Sequence, residues 1–112
     1  MDTSRYADLF LTESREHLSA INHALLELER EGGKGGRGAD AVSALFRSVH
    51  TVKGMSATMG YASVAELSHE METLLDRVRR GAQAVTPAVM DALFASADTL
   101  ERAIEALVAG GE

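Results

Sequence analysis

DAVSALFRSVHTVKGMSATMGYASVAELSHEMETLLDRVRR, residues 40–80, carries a helical apolar period on each side of a single turn. In its first half Val42, Leu45, Phe46, Val49, Val52, Ser56 and Met59 recur at three- and four-residue spacing behind Asp40 as an N-cap, and Gly60 stops the pattern. In its second half Ser63-Val64-Ala65-Glu66 reads as a capping box. Val64, Leu67, Met71, Leu74, Leu75 and Val78 follow before Arg79, Arg80 and Gly81 close the run. Two amphipathic helices joined by so short a turn pack antiparallel, so the segment is expected to be a helical hairpin with one shared apolar face.

Upstream, Tyr6, Phe10, His17, Ile21, Leu25 and Leu28 trace a further long amphipathic helix behind the cap candidates Asp2, Thr3 and Ser4. It runs into five glycines within residues 32–38, expected to form a flexible loop. Downstream, Thr86 caps a helix with Pro87 at its first position, and Met90, Leu93, Ala97, Leu100, Ile104 and Leu107 hold a stripe until Gly110-Gly111. The expected helices are 4–31, 40–59, 63–80 and 87–109. Short connections favour antiparallel neighbours, which predicts one all-α domain over 1–112, an up-down-up-down four-helix bundle.

The 112 residues and 46% apolar content suffice for one modest core. A net charge of -6 argues against nucleic acid and anionic membranes, which call for surplus Lys and Arg. No signal-peptide pattern is present, and no apolar run approaches the roughly 18 residues of a membrane span. With no cysteine, thiolate chemistry and disulfides are excluded. The expectation is a cytoplasmic domain whose partners are proteins.

Chemistry concentrates on the hairpin. Wrapped at roughly 100° per residue, His50 lies roughly 120° from the centre of its apolar stripe, Glu72 roughly 110° and His69 roughly 170° from theirs, all displaced in the same sense. Reversing one helix reverses its rotation, so these positions project into one groove. With the turn centred on Tyr61, positions 50 and 72 are equally far from it, as are 53 and 69, so His50 is expected to face Glu72 and Lys53 to face His69 on an exposed edge.

A carboxylate beside an imidazole takes the Nδ1 proton and leaves the Nε2 lone pair outward, a positioned nucleophile. A nearby ammonium such as Lys53 offsets the charge of an arriving phosphoryl group. Gly54 costs roughly 1 kcal/mol against alanine inside a helix. With Ser43 and Ala57 it lowers the profile beside His50, as approach by a second macromolecule requires. His17 and His23 read as packing or solvated residues.

The stretch His50-Thr51-Val52-Lys53-Gly54-Met55-Ser56-Ala57-Thr58-Met59-Gly60-Tyr61 resembles the phosphorylation motif of the histidine phosphotransfer domains of CheA-type chemotaxis kinases. The resemblance extends to residues 10–18 and 67–72. It implies a four-helix bundle, followed in some members by a fifth helix that is expected here only in truncated form. It implies His50 as phospho-acceptor, Glu72 as the carboxylate that orients it, and Lys53 and His69 as polar neighbours. The implied partners are the kinase catalytic domain of the same protein, which uses ATP and Mg2+, and receiver domains of response regulators of the CheY or CheB kind, which bring their own Mg2+. The domain itself is expected to bind no cofactor and no metal.

Two other classes compete. A carboxylate-bridged metal bundle needs two Glu-x-x-His motifs. Glu66-Leu67-Ser68-His69 is one, but Ser14, Ala20 and Arg47 stand three residues before the other histidines. A helical interaction module without catalytic chemistry would use the 90–107 stripe as a dimer seam, which bundle core explains equally well.

Overall fold

The computed structural model describes residues 3–32 and 35–109. Four helices follow in order: α1 (Thr3–Glu31), α2 (Gly35–Met59), α3 (Ala62–Arg79) and α4 (Pro87–Ala109). They form an antiparallel four-helix bundle measuring 48 × 19 × 19 Å. Each helix packs against its sequence neighbour, and α1 against α4 closes the ring. The cap candidate Asp2 and the Gly110-Gly111 stop lie outside the described residues.

The apolar stripes meet on the axis. Ile21, Leu25 and Leu28 of α1, Leu45, Val49 and Val52 of α2, Val64 and Leu75 of α3, and Leu93, Leu100 and Ile104 of α4 are fully buried. Burial of side chains this size contributes about 1.5–3 kcal/mol each before the entropy of ordering them is counted. On α1 the true stripe differs from the expected one: Tyr6 is exposed and His17 half-buried, while Ser14, Leu18 and Ala24 face inward. Arg15 donates two hydrogen bonds of 2.8 Å to Glu105, fixing the antiparallel level of α1 against α4. The pair is exposed, so it sets register more than stability.

The expected 32–38 loop is shorter than the glycine content suggested. α2 begins at Gly35, so residues 35–38 form its first turn and Asp40 lies inside the helix instead of capping it. Gly38 is buried, while Gly36 and Arg37 of the same turn are exposed. Gly33 and Lys34 lie outside the described residues.

The α2–α3 turn is built by its glycine. Gly60 adopts φ +79°, its N–H bonds to the Ala57 carbonyl at 3.1 Å, and the Tyr61 N–H reaches back to the Ser56 carbonyl at 2.8 Å. This is a Schellman ending, which needs a left-handed residue at that place. Tyr61 then packs edge-on against Phe10, with centroids 5.0 Å apart. α3 starts at once, at Ala62, with Tyr61 as its N-cap residue and no side-chain cap bond. The expected Ser63–Glu66 capping box is therefore not used, because the N-cap falls two residues before Ser63, which lies inside the first turn. The Thr86 cap does form, Thr86 Oγ1 accepting from the Val89 N–H at 3.1 Å.

Three core hydroxyls, of Ser14, Ser56 and Ser68, are buried without a hydrogen-bond partner among the described residues. A buried unpaired hydroxyl costs about 1–3 kcal/mol, and serine is a weaker helix former than alanine. Ser14→Ala is accordingly expected to raise the unfolding free energy by about 1 kcal/mol, measured by urea titration.

Candidate functional site

The α2–α3 pairing brings His50, Lys53, His69 and Glu72 together. His50 Nδ1 is hydrogen-bonded to Glu72 Oε2, and Lys53 Nζ donates to Glu72 Oε1 at 2.6 Å. His69 Nδ1 lies 3.6 Å from the same Oε1, beyond a good hydrogen bond. Glu72 is thus the hub. Lys53 was expected to face His69; the two line one groove, and the long flexible stem of Lys53 carries its ammonium on to the Glu72 carboxylate.

Glu72 also departs from the expected exposed edge: its side chain is 11% exposed, against 60% for His50. Burial alone pushes the Glu72 carboxyl up, but hydrogen bonds from Lys53 and His50, together with the Lys53 charge, outweigh it and hold the carboxyl below its ordinary value. An ionised carboxylate only accepts, so Nδ1 of a neutral His50 must carry the proton and the lone pair sits on Nε2. The site therefore presents an oriented nucleophilic nitrogen on an exposed ring, braced by a sheltered anion whose charge is balanced by Lys53.

Phe46, expected only as part of the core stripe, belongs to this site as well. It is half-buried one turn before His50, and the two rings are parallel to within 5° with centroids 6.1 Å apart. The Arg79 guanidinium sits 4.0 Å over the Phe46 ring and is itself tied to Asp76 at 2.6 Å. The i, i+4 spacing of Phe46 and His50 was the available signal, masked because the same residue fits the apolar period.

Two shallow apolar grooves flank the exposed ridge of α2. One, against α1, is lined by residues including Tyr6, Leu9, Met55 and Met59. The other, against α3, is lined by small residues such as Ala57, Gly60, Ala62 and Ala65, with Lys53 and His69 at its rim. Gly54 borders both, and a Cβ built there meets no heavy atom within 4 Å. Gly54 and Ala57 are exposed, whereas Ser43 is half-buried and lines neither groove. No helix is long and apolar enough to cross a membrane among the described residues.

Comparison with known proteins gives the family and the fold. The sequence pattern of the Hpt domain matches residues 5–110. The chain is 42% identical over 112 residues to a chemotaxis protein CheA of Bacillus subtilis, covering all of this chain and 16% of that protein, so it spans about a sixth of the length of such relatives. Among solved structures it is similar to the CheA phosphotransferase domain from Thermotoga maritima, with TM-score 0.87 and 33% identity over 96% of this chain and 99% of that one. It is also similar to the phosphorylated P1 domain of CheA3 in complex with CheY6 from R. sphaeroides, with TM-score 0.84 and 29% identity over 96% of this chain and 80% of that one.

Proposed function

Because the chain belongs to the Hpt domain family, in its CheA-type form, we propose that it is a phosphoryl carrier that loads on His50 Nε2 and unloads onto an aspartate of a response-regulator receiver domain. The observation that carries the reading is the His50–Glu72 hydrogen bond, made by the one histidine that joins an exposed ring to a buried carboxylate. In loading, the Nε2 lone pair attacks the γ-phosphorus of ATP held by the kinase catalytic domain of the same protein. An N–P bond forms as the P–O bond to ADP breaks. In unloading, an aspartate oxygen attacks the phosphorus, and the N–P electron pair returns to Nε2.

This chain contributes orientation and charge. Glu72 fixes the tautomer and accommodates the positive charge that the ring acquires on attack, and Lys53, held on Glu72 Oε1, is the nearby ammonium that offsets part of the added phosphoryl charge. ATP and Mg2+ are supplied by the kinase domain in the first step and Mg2+ by the receiver in the second. A cytoplasmic location follows from those partners. The domain is a carrier and substrate of a kinase, not a complete catalyst.

The deciding experiment incubates the domain with a CheA kinase core and ATP. Acid-labile, base-stable label confined to His50 is expected; label on a hydroxyl residue, or none, would refute the reading.

Gly54 separates loading from unloading. Gly54→Leu is expected to leave the melting temperature unchanged or higher, since leucine is the better helix former by most of about 1 kcal/mol and the position is open. Transfer from prelabelled domain to a receiver is expected to slow, because a branched side chain one turn from His50 holds the two surfaces apart. A melting curve and a transfer time course check the two halves separately.

A further inference from the structure

Building on the phosphoryl-acceptor reading, we propose that Phe46, held beneath the Arg79 guanidinium, is a positioning residue that fixes the rotation of the His50 imidazole. One hydrogen bond at Nδ1 sets the tautomer only while it is made, and the outer torsion of histidine is broad, so a pivot of the ring about its Cβ–Cγ bond swings Nδ1 away from Glu72 Oε2 and releases the tautomer. His50 is 60% exposed, so solvent offers no resistance to that pivot. A second restraint is needed on the ring plane itself.

Phe46 supplies it. The two rings are parallel to within 5° at a centroid separation of 6.1 Å, inside the range of offset-stacked aromatic pairs. A pivot of the imidazole would forfeit that contact. Phe46 is in turn held from two sides, packed against the hydrophobic core below and covered by Arg79 at 4.0 Å. Arg79 is anchored to Asp76 at 2.6 Å, and Arg80 reaches the other oxygen of Asp76 at 3.1 Å. Helix α3 therefore grips His50 twice, directly through Glu72 and indirectly through Arg79 and Phe46. The consequence is a single outward direction for the Nε2 lone pair, which an in-line attack on phosphorus requires.

A core phenylalanine with no such role would tolerate leucine. A stacking phenylalanine requires an aromatic face, so tyrosine replaces it and leucine does not. The test reads the His50 ring nitrogens by long-range proton–nitrogen NMR on the unphosphorylated chain, with circular dichroism melts to establish folding. In the wild type, and in Phe46→Tyr, His50 is expected to show one tautomer with the lone pair on Nε2. In Phe46→Leu its signals are expected to move toward the average of two tautomers, with Arg79→Gln in between. Label acceptance from the kinase core is expected to fall about tenfold in Phe46→Leu and to recover in Phe46→Tyr.

Wild-type His50 signals and wild-type acceptance in Phe46→Leu would overturn the proposal, as would failure of tyrosine to restore either. Should Phe46→Leu not fold, Arg79→Gln decides, because it removes an exposed side chain and leaves the core intact: unchanged His50 signals there would overturn the proposal. A wild-type chain that takes no label would defeat the acceptor reading, while the NMR comparison would still decide the role of Phe46.

Discussion

His50→Gln is expected to reduce phosphoryl acceptance to background, whereas His17→Gln and His23→Gln are expected to keep it and His69→Gln to retain a measurable level. The glutamine amide nitrogen has its lone pair delocalised into the carbonyl, so a side chain of similar length and polarity loses the nucleophile. The other histidines lack the arrangement that makes one. Among the described residues His17 and His23 make no hydrogen bond or ion pair with a carboxylate, and His69 stands 3.6 Å from an oxygen already bonded to Lys53. The measurement is a labelling time course with the kinase core, run beside a melting curve. His50 is exposed, so the variant is expected to fold as the wild type does. Normal labelling of His50→Gln would remove the foundation of the proposed function.

Glu72→Ala is expected to slow acceptance by about ten- to a hundredfold, the usual cost of removing a group that orients a reacting imidazole. It is also expected to destabilise the fold by about 1–3 kcal/mol, because Lys53 and His50 lose the acceptor they share. Acid sensitivity separates the two effects. The Glu72 carboxyl is held below its ordinary value in the folded chain. Its contribution to stability is therefore fully present above the unfolded-state value, and it is lost as pH falls through the lower folded-state value. Lys53, His50 and His69 are the groups that face it. Urea titrations across the acid range should show this loss in the wild type and a correspondingly flatter limb in Glu72→Ala. Equal slopes in the two proteins would show that the carboxylate is not the anion that the cluster depends on.

The reach and the failures of the sequence reading have the same source, the backbone. Helical period and distance from Tyr61 place residues to within a turn, which is why the meeting of His50 with Glu72 was legible before any coordinates. The same method cannot see where a long side chain ends. Lys53 starts level with His69 and finishes on Glu72. Nor does a helical wheel distinguish a rim position from one covered by its neighbours, so the shelter around Glu72 was missed. The glycines at 35–38 argue for a loop by propensity alone, yet they form the first turn of α2, where Gly38 is buried. Phe46 was read as core because it satisfies the apolar period, and nothing in that period reports a ring lying parallel to its neighbour.

The place of His50 along α2 has a mechanical consequence. The helix runs 25 residues from Gly35 to Met59, about 37 Å at 1.5 Å per residue, and His50 sits well inside it, gripped from α3 by Glu72. The reactive nitrogen is cargo bolted to a pole, not carried on a swinging arm. No loop movement within the bundle can ferry it from one station to the next, so the whole rod must travel. On the proposed reading, delivery is governed by how far and how freely the segment joining this domain to the kinase catalytic domain lets the rod roam, and lengthening or stiffening that segment would change the tempo of transfer without altering a single contact at the nitrogen.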